Sequence, residues 1–423
     1  MEGIHLAATL IVGAGAAGLA AAIFARQLDP TRSVLLVDGA AKPGAKILVS
    51  GGSRCNVTNT VVTERDYWGG KRTIIRRVLR RLPVADTVSF FQRLGVPLKE
   101  EPGGKLFPRS DRSREVLQAL LRAAVDCGVT LSPSTRVHRI SGAAGAFAAE
   151  TSRGPLRAST VIMATGGLSL PKTGSDGAGL DIARSLGHTI VPTTPALAPL
   201  LLSNRIHTSL SGVSQDVELT IWFDGRAVER LRGSMLWTHF GISGPVALNA
   251  SRHYLRGAIE GRTVAVTASF AASADFEAVD SRWTSLGRQR PKASAQSVLS
   301  EDLPASVAAA LLSHADVDPS TALTELSRAG RRRLAHSLTG YPLQVSGSRG
   351  YNYAEATAGG VALEEIDPAT MESRTCPGLF LIGEMLDVDG RIGGFNFQWA
   401  WSSARAAAEG VQLRTGTPGI GSE

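Results

Sequence analysis

A chain of 423 residues is long enough for two or three domains, and a share of 43% hydrophobic and 19% charged residues is that of an ordinary globular protein. The net charge of +8 can attract nucleic acid, anionic lipid or phosphate-bearing ligands, but a basic and otherwise ordinary surface accounts for so modest a surplus. Three widely separated cysteines without a CxxC pair argue against a disulfide framework and a zinc site and favour a reducing compartment, which we take to be the cytoplasm.

The N-terminal residues lack the basic region and the cleavage site of a secretory signal. No apolar run in the chain approaches the ~20 residues that are needed to span a bilayer. We therefore expect neither a cleaved leader nor a membrane partner.

The first predicted elements form a unit of strand, glycine turn, helix, strand and acid. Residues 9–12 have the pattern of a short buried strand, and the sequence GAGAAG follows at 13–18. An alanine-rich helix is predicted over 19–28, and a second buried strand over 34–37 ends at Asp38. A GxGxxG motif alone is weak evidence, but the whole unit at this spacing predicts dinucleotide binding.

Each glycine of this unit has its own expected role. Gly13 permits the tight turn, Gly15 lets a pyrophosphate approach the backbone, and Gly18 lets the helix pack closely on the strand. The start of the helix offers free N–H groups and a partial positive charge to phosphates. Asp38 is placed to accept hydrogen bonds from ribose hydroxyl groups.

The stretch SGGSRCNVTN, residues 50–59, puts little side-chain bulk beside a fixed cation and a thiol. Almost nothing in it is apolar, so core packing does not explain it.

Further along, residues 71–83 predict an amphipathic helix with four outward arginines, and 331–333 are three more arginines. A solvated basic face is the interpretation we favour over nucleic-acid or membrane contact, because no aromatic stacking pattern accompanies either run.

Two later strands distinguish FAD from NAD. Residues 160–167 form a buried strand that runs into a glycine turn, and 378–384 form another near the C-terminus. A simple NAD dehydrogenase does not need a C-terminal strand that returns to the nucleotide-binding fold. In many FAD enzymes, by contrast, both ends of the chain contribute to that fold. The glycine-rich residues 174–179 have the wrong spacing for a second nucleotide motif, and with no CxxC this argues against a disulfide reductase.

A glycine pair at 393–394 opens a helix that is predicted over 396–409. Such a helix start is an anion site that suits the pyrimidine end of a reduced flavin. Asp387, just before it, can bond the ribityl chain.

These motifs together resemble the BaiN/YhiN-like flavoproteins, a family of NAD(P)/FAD-dependent oxidoreductases also called aminoacetone-oxidase-like. The resemblance covers nearly the whole chain and depends on residues 45–59, 164–179, 238–245 and 365–403. The chain departs from the family pattern at Ser53, where a third glycine is usual, and at Ala404, where the family often has glycine after Ser403.

The resemblance implies an α/β fold in which a Rossmann-like FAD-binding domain, 1–194 and 346–423, is split by an insert over 195–345. The insert is expected to be β-rich over 195–274 and helical over 290–340. The sequence agrees independently, since residues 217–223 alternate like a strand, Asp224-Gly225 is typical of a hairpin turn, and 264–270 predict a second strand.

In that fold the stretch 50–59 lies against the flavin. Arg54 then pairs with the pyrophosphate or a substrate carboxylate, or else only ties loops together. Cys55 is either a redox or nucleophilic thiol or, as we favour, a small buried residue. His239, from the insert, is a candidate acid or substrate ligand, although a lone histidine is more often structural.

No metal site is predicted. The residues predicted to contact the cofactor are Gly13, Gly15, Ala16, Ala17, Gly18, Asp38, Lys46, Ser50, Gly51, Gly52, Arg54, Cys55, Asn56, Val137, Ala164, Thr165, Gly166, Gly383, Glu384, Asp387, Gly394, Phe395, Asn396 and Phe397.

The function implied is that of an FAD-dependent oxidoreductase, which transfers hydride between flavin N5 and a small organic substrate with NAD(P)H or oxygen as second partner. Two alternatives stay open at this point: an oxidase of small amines or aminoketones, and a flavin-fold protein that modifies tRNA. The sequence identifies neither the substrate nor the oligomeric state.

Overall fold

A computed structural model describes residues 5–204, 206–272 and 274–415, and its contacts divide the chain into two compact units. The first unit comprises Met1–Thr194 and Glu355–Glu423, and the second comprises Pro195–Ala354. The predicted α/β, Rossmann-like fold class is confirmed. The insert predicted from the sequence ends at 345, whereas the second unit continues to Ala354, because residues 345–348 pair with the strand at 200–202.

The helices and strands have the following bounds. The strands are β1 (His5–Val12), β2 (Val34–Val37), β3 (Thr58–Asn59), β4 (Tyr67–Gly69), β5 (Leu98–Glu101), β6 (Lys105–Pro108), β7 (Thr130–Ser132), β8 (Val137–Ser141), β9 (Phe147–Thr151), β10 (Gly154–Met163), β11 (Ile190–Ala196), β12 (Leu200–Leu202), β13 (Ser214–Phe223), β14 (Arg226–Thr238), β15 (Gly241–Ser243), β16 (Val264–Ser269), β17 (Tyr341–Leu343), β18 (Val345–Ser348), β19 (Ala356–Val361), β20 (Leu379–Leu381) and β21 (Val388–Gly390). The α-helices are α1 (Ala16–Leu28), α2 (Ala45–Ser53), α3 (Arg72–Leu79), α4 (Val84–Arg93), α5 (Ser113–Asp126), α6 (Ala178–Ser185), α7 (Ile206–Ser209), α8 (Pro245–Ile259), α9 (Phe276–Gln289), α10 (Ala295–Leu299), α11 (Ala305–His314), α12 (Arg328–Gly340) and α13 (Phe395–Thr415).

The main sheet of the first unit has the order β7-β2-β1-β10-β9-β8, and β20 also pairs with β10. The pairs β7-β2, β2-β1, β1-β10 and β10-β20 are parallel, while β9 and β8 extend the sheet in antiparallel fashion. Val12 is in register with Val37 and with Met163, and Met163 with Leu381. The loops that follow these four strands therefore leave the sheet at one edge, where parallel α/β sheets bind ligands.

Helices α1 and α13 pack against each other in the first unit. α1 begins at Ala16, before the predicted start at 19, because Gly15 provides the N-cap position directly after the turn. α13 continues past the predicted end at 409 to Thr415, and its buried side chains reach Val411. A helix that is buried on most of its circumference is stabilised by tertiary packing. The residue at which its sequence pattern stops therefore need not be the residue at which the helix ends.

The second unit contains a seven-stranded sheet in the order β17-β16-β13-β14-β15-β12-β18. β13 and β14 form the predicted hairpin at Asp224-Gly225, where φ is 50° and 80°. Two helices of this unit lie outside the segment predicted to be helical. α8 lies within the segment predicted to be β-rich, and α9 precedes residue 290. Asp275 caps the start of α9, since its side chain accepts from Ala278 N at 2.9 Å.

The arginine-rich faces are partly neutralised. On α3, Arg76 pairs with Glu64 at 2.5 Å, and in the second unit Arg331 pairs with Asp280 at 2.8 Å and Arg333 with Asp316 at 3.3 Å. Arg76 and Arg333 are exposed and fit the solvated-face interpretation, whereas Arg331 is only 20% exposed and ties α12 to α9. Among the helices that the structure describes, none combines the length and the apolar character required to cross a bilayer.

Candidate functional site

At the sheet edge, the first residue after each of three strands donates a hydrogen bond to the last residue of a neighbouring strand. The N–H of Gly13 donates to the last carbonyl of β2 at 2.8 Å, that of Ala164 to the last carbonyl of β1 at 2.8 Å, and that of Ile382 to the last carbonyl of β10 at 3.0 Å. The structure therefore brings together the three glycine-bearing turns that the sequence singles out. Ala164 and Thr165 follow β10 directly, and Gly383 follows Ile382.

The three glycines of the first turn face different surroundings. A Cβ at Gly13, where φ is 102°, would lie 2.5 Å from Ala164 O, and a Cβ at Gly18 would lie 1.8 Å from Gly13 O. Packing inside the protein thus requires both glycines. A Cβ at Gly15 would meet no atom of the described part of the chain within 4 Å. The open space beside Gly15 is what an approaching pyrophosphate needs, so the turn fits the dinucleotide phosphates.

The N-terminus of α1 has no side-chain cap. Gly15 occupies the N-cap position, and Ala16 and Ala17 begin the first turn. Among the residues that the structure describes, no side chain accepts from these first N–H groups, so the partial positive charge of a 13-residue helix is available to an anion.

Asp38 lies at the end of β2 and organises the neighbouring backbone. Its Oδ2 accepts from Ala14 N at 2.6 Å and its Oδ1 from Ala40 N at 2.7 Å. Its own carbonyl accepts from Thr135 N at 2.7 Å, two residues before Val137 at the start of β8. A carboxylate oxygen accepts more than one hydrogen bond, so both oxygens can still accept from ribose hydroxyl groups.

Lys46 and Glu384 form a partly buried ion pair in this region. The Lys46 ammonium contacts Glu384 Oε2 and Ser169 Oγ, and the two ionic side chains are 23% and 19% exposed. Glu384 Oε1 accepts from Ser169 Oγ at 2.6 Å and from Thr357 N at 3.0 Å. This ion-pair network ties α2, the loop after β10, β19 and the turn after β20 to one another. Ser169 lies within the stretch 164–179 that carries the resemblance, but neither Ser169 nor Thr357 is singled out by the sequence as a site residue.

The glycine-rich stretch after Lys46 leaves helical geometry at Ser50, where ψ is 149°. The left-handed region is then occupied by Gly51 (φ 55°), Gly52 (67°), Ser53 (67°) and Cys55 (62°). Ser53 adopts the conformation that the resembling family provides with a third glycine, at the steric cost that a side chain has there. Gly52 and Ser53 are exposed, so their backbone is open to a ligand.

Arg54 ties neighbouring segments together. Its guanidinium lies 2.7 Å from Glu101 and 3.4 Å from Asp111 and stacks 4.0 Å above the ring of Phe107. These contacts favour the loop-tying interpretation, and a contact of Arg54 with the cofactor stays a prediction.

Cys55 is fully buried. Burial raises the pKa of its thiol to about 12, against a hydrogen bond with Ser50 that acts in the opposite direction. A neutral, inaccessible thiol is a poor nucleophile, which agrees with the small-residue interpretation.

Cys55 is expected to resist Ellman's reagent in the native protein at pH 8. With a pKa near 12, only about one thiol in 10⁴ is ionised at that pH. The half-exposed Cys127 is expected to react first. The measurement is absorbance of the released thiolate before and after unfolding, with Cys127→Ser as the control that removes the fast phase. Fast labelling of Cys55 in that control variant would contradict the buried assignment.

The glycine pair before α13 packs onto the stretch 50–59. A Cβ at Gly394 would lie 2.5 Å from Thr58 O, and Asn59 Nδ2 donates to Gly393 O at 3.1 Å. With its amide oriented to satisfy both ends, Asn56 donates to Thr58 O at 2.9 Å and accepts from Gly394 N at 3.1 Å. The two segments predicted to hold the flavin ring are therefore in direct contact.

The first residues of α13 serve the protein itself. Phe395 is fully buried, and Phe397 stacks on Trp401 with ring centroids 5.5 Å apart. Asn396 Oδ1 accepts from Gly390 N at 2.8 Å, and its Nδ2 donates to Gly390 O at 3.0 Å. These contacts fix where the helix begins, and with it the direction of its first N–H groups.

The remaining predicted contacts lie on the same loops. Gly383 N donates to Ser403 Oγ at 3.1 Å, and the carbonyl of Asp387, which is half-buried, accepts from Gly70 N at 2.8 Å. Gly166 has a φ of 73°, so the turn after β10 needs a residue that tolerates the left-handed region.

His239 belongs to the second unit. It is exposed between β14 and β15, with its ring 5.0 Å from that of Phe240 in an edge-on arrangement. Arg349 lies 4.6 Å from the Phe240 ring and 3.5 Å from the Tyr353 ring. A catalytic role for His239 stays a prediction.

Residues 7–410 match the model of one protein family, the HI0933-like protein Rossmann domain. The chain is 33% identical over 403 residues to the 3-dehydro-bile acid delta(4,6)-reductase of Clostridium scindens, covering 94% of this chain and 98% of the relative. It is also 33% identical over 406 residues to the ribosomal RNA dihydrouridine synthase of Escherichia coli, covering 95% and 96%. These matches confirm the resemblance that the motifs indicate.

Among solved structures, FrdA of the E. coli quinol fumarate reductase is similar with a TM-score of 0.53 and 17% identity. The similarity covers 99% of this chain and 72% of FrdA. At this identity the likeness concerns the fold alone.

Proposed function

Because the chain belongs to the HI0933-like Rossmann family and is an FAD-dependent oxidoreductase, we propose that it reduces a carbon–carbon double bond conjugated to a carbonyl group. The observation that carries this proposal is the pair of relatives that are each 33% identical over nearly the whole chain. The names of these two relatives refer to unrelated molecules but to one change of bonding. A delta(4,6)-reductase of a 3-oxo steroid and an enzyme that makes dihydrouridine both saturate an alkene next to a carbonyl group.

The glycine turns and the helix starts of the first unit indicate which residues would hold FAD. The turn 13–18 and the start of α1 would receive the pyrophosphate, and Asp38 the ribose. The loops at 50–56, 164–169 and 383–387 and the start of α13 would surround the ring system. Bound FAD supplies two-electron hydride chemistry at N5. The free N–H groups at the start of α13 would stabilise negative charge on the pyrimidine side.

The electron donor in this proposal is NAD(P)H, acting in the cytoplasm. Reduction of an alkene consumes two electrons and needs a donor, and the chain has no second GxGxxG motif that would hold a resident dinucleotide. A donor that binds and leaves is consistent with that absence. Free thiols at Cys55, Cys127 and Cys376 fit a reducing compartment.

An RNA substrate is a second candidate within the same chemistry. The E. coli relative is named for ribosomal RNA, and the net charge of +8 favours a polyanion. This observation supports an RNA substrate, as in the tRNA-modifying alternative, but with ribosomal RNA in place of tRNA and uridine as the reduced base.

Anaerobic titration with NADPH, followed by addition of acceptor, tests the proposal. Flavin absorbance is expected to bleach with NADPH and to return when a cyclic enone or 3-oxo-4-ene steroid is added. If uridine-containing ribosomal RNA restores the colour and small enones do not, the RNA candidate is favoured. Reduction by an amine or aminoketone and re-oxidation by oxygen alone would contradict the proposal and support the oxidase alternative.

A further inference from the structure

Glu355, which sequence reasoning did not single out, has an unusual position in the first unit. It directly precedes β19 and is the exposed residue in a run, 354–361, whose other members are buried. Its carboxylate makes no hydrogen bond or ion pair with the residues that the structure describes. Side chains of ordinary surface glutamates are also unpaired, so its surroundings decide whether it has a function.

The surroundings of Glu355 are those of the candidate site. Thr357 lies two residues further along, at most about 7 Å in Cα distance. Thr357 N donates to Glu384 at 3.0 Å, and Thr357 Oγ1 accepts from the N–H groups of Leu168 and Ser169 at 2.9 and 3.0 Å. The backbone that carries Glu355 is thus fastened to the loop after β10 and to the Lys46–Glu384 pair.

Two lysines on separate elements act electrostatically on the Glu355 carboxylate. Lys46 comes from α2, just before the glycine-rich stretch, and Lys105 comes from β6. Lys105 is in register with Asn59, which donates to Gly393 O. The two lysines that act on Glu355 therefore belong to α2 and to the strand paired with β3, next to the segments 50–59 and 393–397 that are expected to surround the flavin ring.

The surroundings of the Glu355 carboxyl raise its pKa. Water reaches it, yet the surrounding protein desolvates it enough to raise its pKa above the usual glutamate value, and the charges of Lys46 and Lys105 only partly oppose this shift. The carboxylate of Glu384, which accepts from Thr357 N, is already engaged with Lys46. An exposed, desolvated and unpaired acid beside a predicted cofactor is a candidate general acid.

We infer that Glu355 delivers the proton to the α-carbon of the substrate, an inference that rests on the proposed reduction of a conjugated alkene. The β-carbon receives hydride, the electron pair of the double bond moves to the α-carbon, and a new C–H bond forms there as the O–H bond of Glu355 breaks. The substrate gains two electrons and the flavin loses two. Solvent then returns a proton to the carboxylate.

The test compares Glu355→Gln with the wild-type holoenzyme on two acceptors. A nitroalkene accepts hydride to give a stable nitronate, which water protonates without help from the protein, whereas an enone needs the acid. Glu355→Gln is expected to reduce the enone about 100-fold more slowly and to reduce the nitroalkene at the wild-type rate. Glu364→Gln, at an exposed glutamate after the same strand, is the matched control and is expected to change neither rate.

Two measurements separate proton delivery from a structural role. Enone binding, followed by the change in flavin absorbance, is expected to be unchanged in Glu355→Gln. In deuterated water the wild-type product is expected to carry deuterium on one face of the α-carbon, while the residual product of the variant carries it on both faces. Glu355→Asp, which retains an acid, is expected to recover part of the enone rate.

The possible failures have different signatures. If Glu355→Gln reduces the enone at the wild-type rate, or loses the nitroalkene and enone reactions equally, the role of Glu355 is overturned while the proposed function stands. If the wild-type enzyme reduces the nitroalkene but no conjugated carbonyl substrate, both the proposed function and the role of Glu355 fall.

Discussion

Gly15→Ala is expected to fold as well as the wild-type chain and to bind FAD about 100-fold more weakly, a loss of about 2.8 kcal/mol. The backbone of Gly15 has φ −83° and ψ −165°, which alanine adopts without strain, and the added methyl group would meet no protein atom within 4 Å. The methyl group would instead occupy the space through which a pyrophosphate approaches the start of α1. Fluorescence titration of the apoprotein with FAD measures the affinity, and urea unfolding of the apoprotein measures its stability.

Gly18→Ala, three residues away in the same turn, is the matched control with the opposite expectation. Its methyl group would lie 1.8 Å from Gly13 O, so α1 must move away from β1. We expect the apoprotein to lose about 3 kcal/mol of unfolding free energy, the upper range for overpacking. Equal destabilisation by both substitutions, or normal FAD affinity in Gly15→Ala, would contradict the assignment of the open space to a ligand.

The strand-turn-helix unit was predictable because its signals are local. A buried apolar strand, glycines at fixed spacing and an acid at the end of the next strand all lie within residues 9–38, and the structure has strands at 5–12 and 34–37 around α1. Helix α8 lies within 195–274, which is predicted as β-rich as a whole, and helix α9 lies in 275–289, for which no structure is predicted. The N-cap at Asp275 was a local signal that could have indicated α9.

The contacts among distant residues of the candidate site were not predictable in the same way. Lys46 and Glu384 are 338 positions apart, and nothing in the neighbourhood of either residue indicates that they pair. Their meeting depends on the register of β10 with β20 and on the start of β19, which are properties of the folded chain. The same reason explains why Ser169, Thr357 and Glu355 were missed, and why Arg54 could not be assigned to Glu101 and Asp111 beforehand.

Glu384→Ala is expected to destabilise the protein by roughly 3–5 kcal/mol, the range for removing one partner of a buried pair. The substitution leaves the Lys46 ammonium without its carboxylate and removes the acceptor for Ser169 Oγ and Thr357 N. Asp181→Ala is the matched surface control, because Asp181 and Arg184 are 74% and 59% exposed, and we expect a change of at most about 0.5 kcal/mol. Urea unfolding of each apoprotein measures the difference, and equal losses in the two variants would contradict a partly buried network.

The double variant Lys46→Met/Glu384→Ala separates the cost of an unpaired charge from the cost of lost hydrogen bonds. Removing both ions leaves no unpaired ammonium, so the double variant is expected to be more stable than Glu384→Ala alone although it has lost more contacts. Glu384→Gln tests whether Glu384 also acts on the cofactor. Its amide oxygen can still accept from Thr357 N and so preserve the contact with β19. If Glu384 also lies against the flavin, as predicted, this variant is expected to stay folded while the absorbance maximum of bound FAD shifts. An unchanged flavin spectrum in a folded Glu384→Gln protein would show that the Lys46–Glu384 pair only stabilises the fold and does not contact the flavin.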